Sequence, residues 1–398
     1  MTDRLYYADS YLREFDARVV RVSHAADRLL VTLDRTAFYP TSGGQMFDAG
    51  TLGPHLVVDV IDEGDGDVAH AIEASGAEPP AAGDPIHGAI DWARRFEHMQ
   101  QHTGQHVLSA AFQHAASAET VSVHLGATSA TIDLAREVPP AAIAAAEEEA
   151  NRVVWENRPV AVSFVAAGEA ARLPLRKRPD RTGTIRLVAI RDVDLSACGG
   201  THVAGTGEIG SIAIAGAERF RGGTRIEFLC GIRALRGFRS MRDTLASAGR
   251  LLSTGVDGLG AAIEHLQVDV REQKRATAAL QSELLAFRSA DLIASAEPMG
   301  GARVVRRALD ADAPALKALA LQIASAPGHA AVLLSASRPA LVVVARAADL
   351  PIRADQILSA LMARFGGRGG GRPDLAQGGG LDAPPGEILA AAGEVVSR

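Results

Sequence analysis

The sequence predicts an α+β protein of several domains: a small N-terminal β-barrel, an α+β domain carrying a metal site, a helical arm and a C-terminal α/β domain. Three observations carry that expectation. Residues 1–91 alternate short apolar runs with Gly, Asp and Pro turn signals. Residues 236–297 are rich in Ala, Leu, Arg, Glu and Gln with few strand signals, and residues 298–398 alternate strand-like with helix-like segments. Between them, residues 92–235 mix a histidine-bearing helix with several strand-like runs. At 398 residues the chain exceeds one ordinary core and fits two to four domains.

In the first segment Arg18–Val22, Leu29–Leu33, Leu56–Ile61 and Ile86–Ile90 read as strands, for which a small barrel is the economical arrangement. The stretch Tyr39–Gln45 interrupts them with the paired glycines Gly43 and Gly44, and reads as a turn.

The next segment opens with a helix in which Phe96, Met99, Thr103, Val107, Ala110 and Ala111 recur at helical spacing. His102 and His106 stand at i and i+4 in it, so both rings leave one face. About a hundred residues later, Cys198-Gly199-Gly200-Thr201-His202 offers a thiolate and a third imidazole around two glycines, where the backbone turns tightly and a ligand can approach closely. Three nitrogens and one sulfur make a donor set suited to tetrahedral Zn²⁺. The bland alternative is a chance histidine pair and a small core cysteine; the coincidence of both motifs favours one shared site. His98, one turn before His102, could substitute as a ligand, but in Arg-Phe-Glu-His-Met it reads more easily as a helix-surface position; His114 and His124 read as structural or substrate-facing residues rather than ligands. Strands are expected at Thr120–Val123 and Ala130–Leu134, and a helix over Pro139–Arg158. Val160–Val165, Ile185–Ile190, Ile209–Ala215 and Thr224–Leu229 complete one mostly antiparallel sheet, with the Cys198 motif in a loop between strands.

From Ile232 to Ala296 the pattern is helical, broken at Gly255–Gly260, with Ile263, Leu266, Val270, Ala276, Leu280, Leu284 and Phe287 three to four residues apart. A helical hairpin or coiled-coil arm and a helical linker packed on its own domain both fit. In the last hundred residues Ala302–Val305, Ala330–Leu334 and Leu341–Val344 read as strands, and Ala313–Ala326 and Ile352–Phe365 as helices. The glycine-rich tract Gly366–Gly380 reads either as a flexible linker or as an ordered backbone that carries Arg368 and Arg372 close to a sugar-phosphate chain; an ordered helix over Glu387–Val396 favours the second.

A composition 47% hydrophobic with a mean hydropathy of +0.08, no apolar span of membrane length and no apolar signal region at Met1–Tyr7 make a cytoplasmic enzyme the default expectation. Two cysteines, Cys198 and Cys230, give no disulfide framework and leave Cys198 free for metal. A net charge of −6 argues against indiscriminate nucleic-acid binding, and no DNA partner is expected. A local basic cluster nevertheless precedes the Cys198 motif: Arg172, Arg176, Lys177, Arg178, Arg181, Arg186 and Arg191 against the single acid Asp180. It reads either as a solvated loop or as a contact for RNA phosphates.

Four ordered motifs carry a family resemblance: Thr36–Gln45, His102-Thr-Gly-Gln-His106 with Thr120–Gly126 and Thr131–Leu134, Cys198–His202, and Gly366–Gly380. Together they resemble the editing domain of alanyl-tRNA synthetases, and most of all the free-standing alanyl-tRNA editing proteins of the AlaX group. The resemblance implies a zinc-dependent hydrolase that removes wrongly attached serine or glycine from tRNA for alanine. It implies His102, His106, Cys198 and His202 as metal ligands, and a glycine-rich loop that leans over the pocket and senses the amino-acid side chain. The loop departs from the usual Glu-Gly-Gly-Gly-Gln-Pro at Thr41, Ser42 and Met46. A closed four-ligand set resembles a structural zinc site, so catalysis requires one loose ligand, for which His202 is the nominee. Gly199 and Gly200 are nominated as backbone donors to the oxyanion, and Thr103, Ser122 and Gln45, with Gly43 and Gly44, as the group that recognises serine. The glycine-rich tract resembles the C-terminal domain that alanyl-tRNA synthetases share with DHH phosphoesterases. It implies that Arg368 and Arg372 hold tRNA, that the chain forms a homodimer, or both. The Asp-His-His motif of the phosphoesterases and a block for amino-acid activation are absent from the sequence. Two readings compete: a tRNA-binding module or synthetase partner with a structural zinc, and a hydrolase of another acyl ester.

Overall fold

The N-terminal strands close on themselves around their buried apolar side chains. In the computed structural model, which describes residues 1–25, 28–73, 76–176 and 183–397, the chain forms two units, Met1–Ala248 and Gly249–Arg398. The first unit begins with β1 (Asp3–Arg4), β2 (Glu14–Ala25), β3 (Arg28–Leu33), β4 (Arg35–Thr36), β5 (Gly50–Leu52), β6 (His55–Asp62), β7 (Val68–Ile72) and β8 (Pro85–Ile90). Six of these close a barrel in the order β2-β3-β7-β6-β5-β8, and β1 pairs with β4 in parallel. Val19, Val31, Leu33, Phe38, Leu52, Val57, Val60, Val68 and Ile72 fill the barrel. Four of the six barrel strands were legible as apolar runs. β5 has only three residues, and β7 carries His70 at its centre, so neither reads as a strand.

The same unit continues with α1 (Trp92–Ala116), β9 (Thr120–Leu125), β10 (Ala130–Leu134), α2 (Pro140–Trp155), β11 (Val160–Ala166), α3 (Ala167–Ala170), β12 (Thr184–Ile190), β13 (Asp194–Ala197), β14 (Ile212–Phe220), β15 (Gly223–Cys230) and the start of α4 (Ile232–Leu251). The single expected sheet is in fact two antiparallel ones, ordered β14-β15-β10-β9 and β11-β12-β13. Each has its own apolar partner. Ile132, Ile226 and Phe228 pack with Val107, Leu108 and Phe112 of α1, whereas Ile185 and Leu187 form a small separate core with Ala170. Ile209 stands in a short 3₁₀ turn, not in the strand expected to begin there.

The second unit holds α5 (Leu259–Ala294), β16 (Glu297–Met299), β17 (Ala302–Leu309), α6 (Ala313–Ala324), β18 (His329–Ser335), β19 (Ala340–Arg346), α7 (Ala354–Phe365), β20 (Arg368–Gly371), β21 (Leu375–Leu381) and α8 (Pro385–Val396). Its sheet runs β16-β17-β18-β19-β21-β20, with only β17 and β18 parallel. Apolar side chains on one face meet α7 and α8, and those on the other meet α6 and the end of α5. The glycine-rich tract is the antiparallel pair β20–β21, not a flexible linker. Earlier in α5, Ile263, Leu266, Val270, Leu280, Leu284 and Phe287 are exposed, while Leu285, Leu292 and Ile293 pack against the core of this unit. No helix among the described residues is long and apolar enough to cross a membrane.

Candidate metal centre

The Asp91 carboxylate caps α1 by accepting from Arg94 N–H, and the helix then runs through a buried polar stretch, Gln100 to His106, interrupted only by Gly104. Buried polar groups need partners. Gln100 donates to Glu208 O and Gln101 bridges to the Cys230 backbone, so these two side chains fasten α1 to its neighbours, while Gln105 donates to Ser109 one turn on in the same helix. His102, Thr103 and His106 point at the loop that follows β13.

That loop is held from behind. Arg186 Nη1 donates to Cys198 O at 2.7 Å and Gly200 O at 3.0 Å, and Arg186 Nε donates to Tyr7 O. Gly200 allows the closest approach: a Cβ there would stand 2.1 Å from His102 Cε1. Its N–H is directed at Cys198 Sγ at 3.4 Å. The result is a cluster in which one ligand atom each from His102, His106, Cys198 and His202 lies within 4.8 Å of all the others. Cys198 Sγ is 3.3 Å from Nε2 of both His102 and His202.

Each ring is fixed through its other nitrogen. His102 Nδ1 lies 2.7 Å from Gln45 Oε1, His106 Nδ1 2.7 Å from Asp194 Oδ2, and His202 Nδ1 3.1 Å from Thr103 Oγ1. An amide oxygen and a carboxylate accept only, so His102 and His106 each donate from Nδ1 and turn Nε2 inward, toward Cys198 and the cluster. Asp194 in turn accepts from Arg176 and Ser196. Burial alone would raise the Cys198 thiol, but His102 and His202 beside it, with hydrogen bonds from His102 and His106, bring it well below its ordinary value. Burial opposes a charge on His106 too, yet the Asp194 carboxylate and Cys198 raise its pKa to about 9; burial and His102 lower His202 to about 3. A thiolate and three oriented imidazoles are the donor chemistry of a zinc site, and the residues present fit that ion.

The other nominated residues are placed as follows. Gln45 uses both ends of its amide, its Nε2 donating to Thr201 Oγ1 and its Oε1 accepting from Thr201 N–H as well as from His102. Thr103 is fully buried behind His202 and accepts from Val203 N–H. Gly43 and Gly44, with φ of 57° and 88°, form the centre of a two-residue turn closed by reciprocal Ser42–Gln45 bonds. The turn lies on β9, where Gly44 O accepts from Leu125 N–H, and Ser122 is exposed on the same strand. Gly199 is exposed. Arg368 and Arg372 are exposed in the second unit.

Some expectations change. His98 is 5% exposed, not a surface residue. His114 pairs with Glu149 on the surface, and His124 is exposed. In the basic cluster Arg176 and Arg186 are structural, Arg172 and Arg191 are exposed, and Lys177, Arg178, Asp180 and Arg181 lie outside the described residues. Asp194 and the backing role of Arg186 were not foreseen. Asp194 sits among ordinary-looking acids in Arg-Asp-Val-Asp, and nothing short of the fold links it to His106.

The protein shares most of its length with known relatives. It is 30% identical to the alanyl-tRNA editing protein AlaX-L of Pyrococcus horikoshii over 403 aligned residues, covering 98% of this chain and 97% of that protein. The chain belongs to the AlaX family of alanyl-tRNA editing proteins. A second AlaX protein, AlaX-M of Methanosarcina acetivorans, is 38% identical over 229 residues, covering 54% of this chain and 92% of that one. The alanine–tRNA ligase of Methanothrix thermoacetophila is 32% identical across 95% of the chain, which spans 42% of the ligase. Within this AlaX chain, residues 185–227 match the family described as threonyl and alanyl tRNA synthetase second additional domain, and residues 300–397 match the DHHA1 domain. The first match contains the Cys198–His202 loop, and the second contains β20 and β21.

Proposed function

We propose that this AlaX protein hydrolyses the ester of serine or glycine wrongly attached to tRNA for alanine, at a Zn²⁺ held by His102, His106, Cys198 and His202. The observation that carries the proposal is the buried convergence of three imidazoles and one thiolate, with a separate partner on Nδ1 of every ring. Bound there, zinc supplies Lewis acidity to polarise an ester carbonyl or to acidify water toward a pKa of ~7.

The chain's own residues do the rest. Gln45 and Asp194 hold His102 and His106 in one tautomer and one orientation. His202 is the least firmly fixed, since its Nδ1 partner is a hydroxyl at 3.1 Å where the others have acceptors at 2.7 Å. This supports His202 as the ligand that loosens. Gly199, exposed beside Cys198, is the backbone donor proposed for the developing oxyanion, while Gly200, whose N–H faces Cys198 Sγ, makes room for His102. Thr103 and Gln45 act through His202 and His102, and the Gly43–Gly44 turn with Ser122 is the surface proposed to face the amino-acid side chain. Arg368 and Arg372 are proposed as tRNA contacts, and the exposed apolar residues of α5 as the surface of a homodimer. A low-pKa thiol that must stay reduced supports a cytoplasmic location.

The test is deacylation of tRNA for alanine charged with serine, glycine or alanine. The expected result is rapid release of serine or glycine, sparing of alanine, and loss of activity in Cys198→Ala. Undiminished activity of Cys198→Ala overturns the metal site. A closed set of four ligands also favours a second reading, a tRNA-binding protein with a structural zinc; zinc-loaded protein that binds the tRNA and releases none of the three amino acids selects it.

A further inference from the structure

One turn before His102 on α1, a second site is built around His98. Its imidazole is 5% exposed, its Nδ1 has no hydrogen-bond partner among the described residues, and the ring lines a cavity of about 250 Å³ with Asp91, Arg94, Glu97, Arg233 and Arg236. That volume is below the roughly 300–1,000 Å³ of pockets for drug-sized molecules, so the cavity suits a charged group and not a whole nucleoside.

The charge around it is not balanced. Glu97 answers two guanidinium groups at once, Arg233 at 2.7 Å and Arg236 at 2.6 Å. Asp91 is engaged in capping α1 through Arg94 N–H. Arg94 lies over the Phe47 ring and donates from Nε to Phe47 O, which leaves its outer nitrogens for another acceptor. Arg233 also gives its Nη1 to Gly126 O, so in a lining of three guanidinium groups, two partnered carboxylates and the N-terminal end of a 25-residue helix it is Arg94 and Arg236 that keep donors for another acceptor. Burial, with Arg94 and Arg233 nearby, keeps the His98 ring neutral, its pKa pushed down to about 3. A neutral imidazole has one N–H to give and brings no net charge of its own.

We propose that this cavity receives a backbone phosphate from the 3′ end of the RNA whose terminal ester lies at the metal centre. The inference rests on the hydrolase reading above. His98 and His102 are one helical turn apart, about 6 Å along the axis, so an RNA anchored at the metal by its terminal ester has its last phosphodiester groups in reach of the cavity. Forked guanidinium groups match phosphate oxygens in pairs.

The test uses the full chain and an RNA stem with the single-stranded 3′ end of tRNA for alanine, uncharged so that no hydrolysis enters the measurement. Its last linkages are made either as phosphodiesters or as neutral methylphosphonates. Binding is followed by fluorescence anisotropy for the wild type, Arg94→Gln and Arg236→Gln; the Arg236 side chain is 63% exposed, so that variant leaves the core intact. Neutralising the linkage is expected to weaken wild-type binding roughly tenfold, and each variant to weaken binding of the phosphodiester RNA by a similar factor. The two losses are expected not to add, because variant and neutral linkage remove the same contact. Additive losses, or no loss on neutralising the linkage, overturn the proposal. So does calorimetric binding of inorganic phosphate that disappears in Arg94→Gln while RNA affinity ignores the linkage, a result that assigns the cavity to a free anion. Failure of the hydrolase reading has a different signature: charged tRNA stays intact whatever the binding cycle gives.

Discussion

Gln45 lies 57 positions before His102 in the chain, yet its amide oxygen fixes which nitrogen of that ring faces the cluster. Gln45→Ala leaves a buried Nδ1 and the Thr201 hydroxyl unpartnered. Zinc affinity, measured by competition with a chromophoric chelator, is expected to fall ~10- to 100-fold while the fold persists. Two neighbouring glycines make a sharper contrast. An added Cβ at Gly200 overlaps the His102 ring, whereas at Gly199 its nearest neighbour is the Tyr7 ring at 3.7 Å. Gly200→Ala should therefore abolish stoichiometric zinc binding, and Gly199→Ala should retain it. Away from the site, His70 is wholly buried in the barrel between Thr36 and Val31 O, and burial lowers its pKa from 6.5 to about 4. A histidine that resists protonation only when folded gives stability that is present above pH ~6.5 and lost as pH falls toward 4, on the order of 3 kcal/mol. Denaturant titrations at pH 7 and pH 4 should show that loss, and His70→Gln should flatten it. The ligands themselves were legible because histidine and cysteine at short spacing announce their chemistry. Their anchors were not, since a glutamine in a turn and an aspartate on a strand look the same whether they face solvent or an imidazole.

At the scale of elements, α1 is the piece on which the first unit is assembled. Its Arg95 is fully buried, bonded to Asp48 and to the carbonyls of Ser10 and Ala37, and so ties the helix to the segments before and after the barrel's first two strands. Replacing Arg95 with Met strands a buried carboxylate and is expected to cost about 3–5 kcal/mol in equilibrium unfolding, with part of it recovered in Arg95→Met/Asp48→Ala. The helix was readable from its apolar spacing, but not how thoroughly its polar face is buried. His98 illustrates the difficulty: its charged sequence neighbours suggest a wet surface, and only the packing of α4 residues Arg233 and Arg236 around Glu97 encloses it. The division of one expected sheet into two has a similar cause. Alternation fixes which face of a strand is apolar, while the choice of partner depends on contacts far apart in sequence.

For the molecule as a whole, each unit has cores of its own, and AlaX-M is matched over 92% of its length by only 54% of this chain. A fragment ending at Ala248 is expected to fold, to bind zinc and to deacylate, with tRNA affinity reduced by loss of the second unit; circular dichroism, metal analysis and anisotropy check the three parts. An inactive but folded and zinc-loaded fragment would place part of the chemistry in residues 249–398. The chain also contains just two sulfhydryl groups, in opposite circumstances. Cys230 is sealed against Gly104, with burial holding its thiol protonated, while Cys198 is partly accessible and ionises readily. With the proposed zinc in place, iodoacetamide should then mark a single residue in the native protein, and only once chelation has uncovered it. Mass spectrometry of that one alkyl group becomes a direct gauge of occupancy, with the second label appearing only when the whole unit melts.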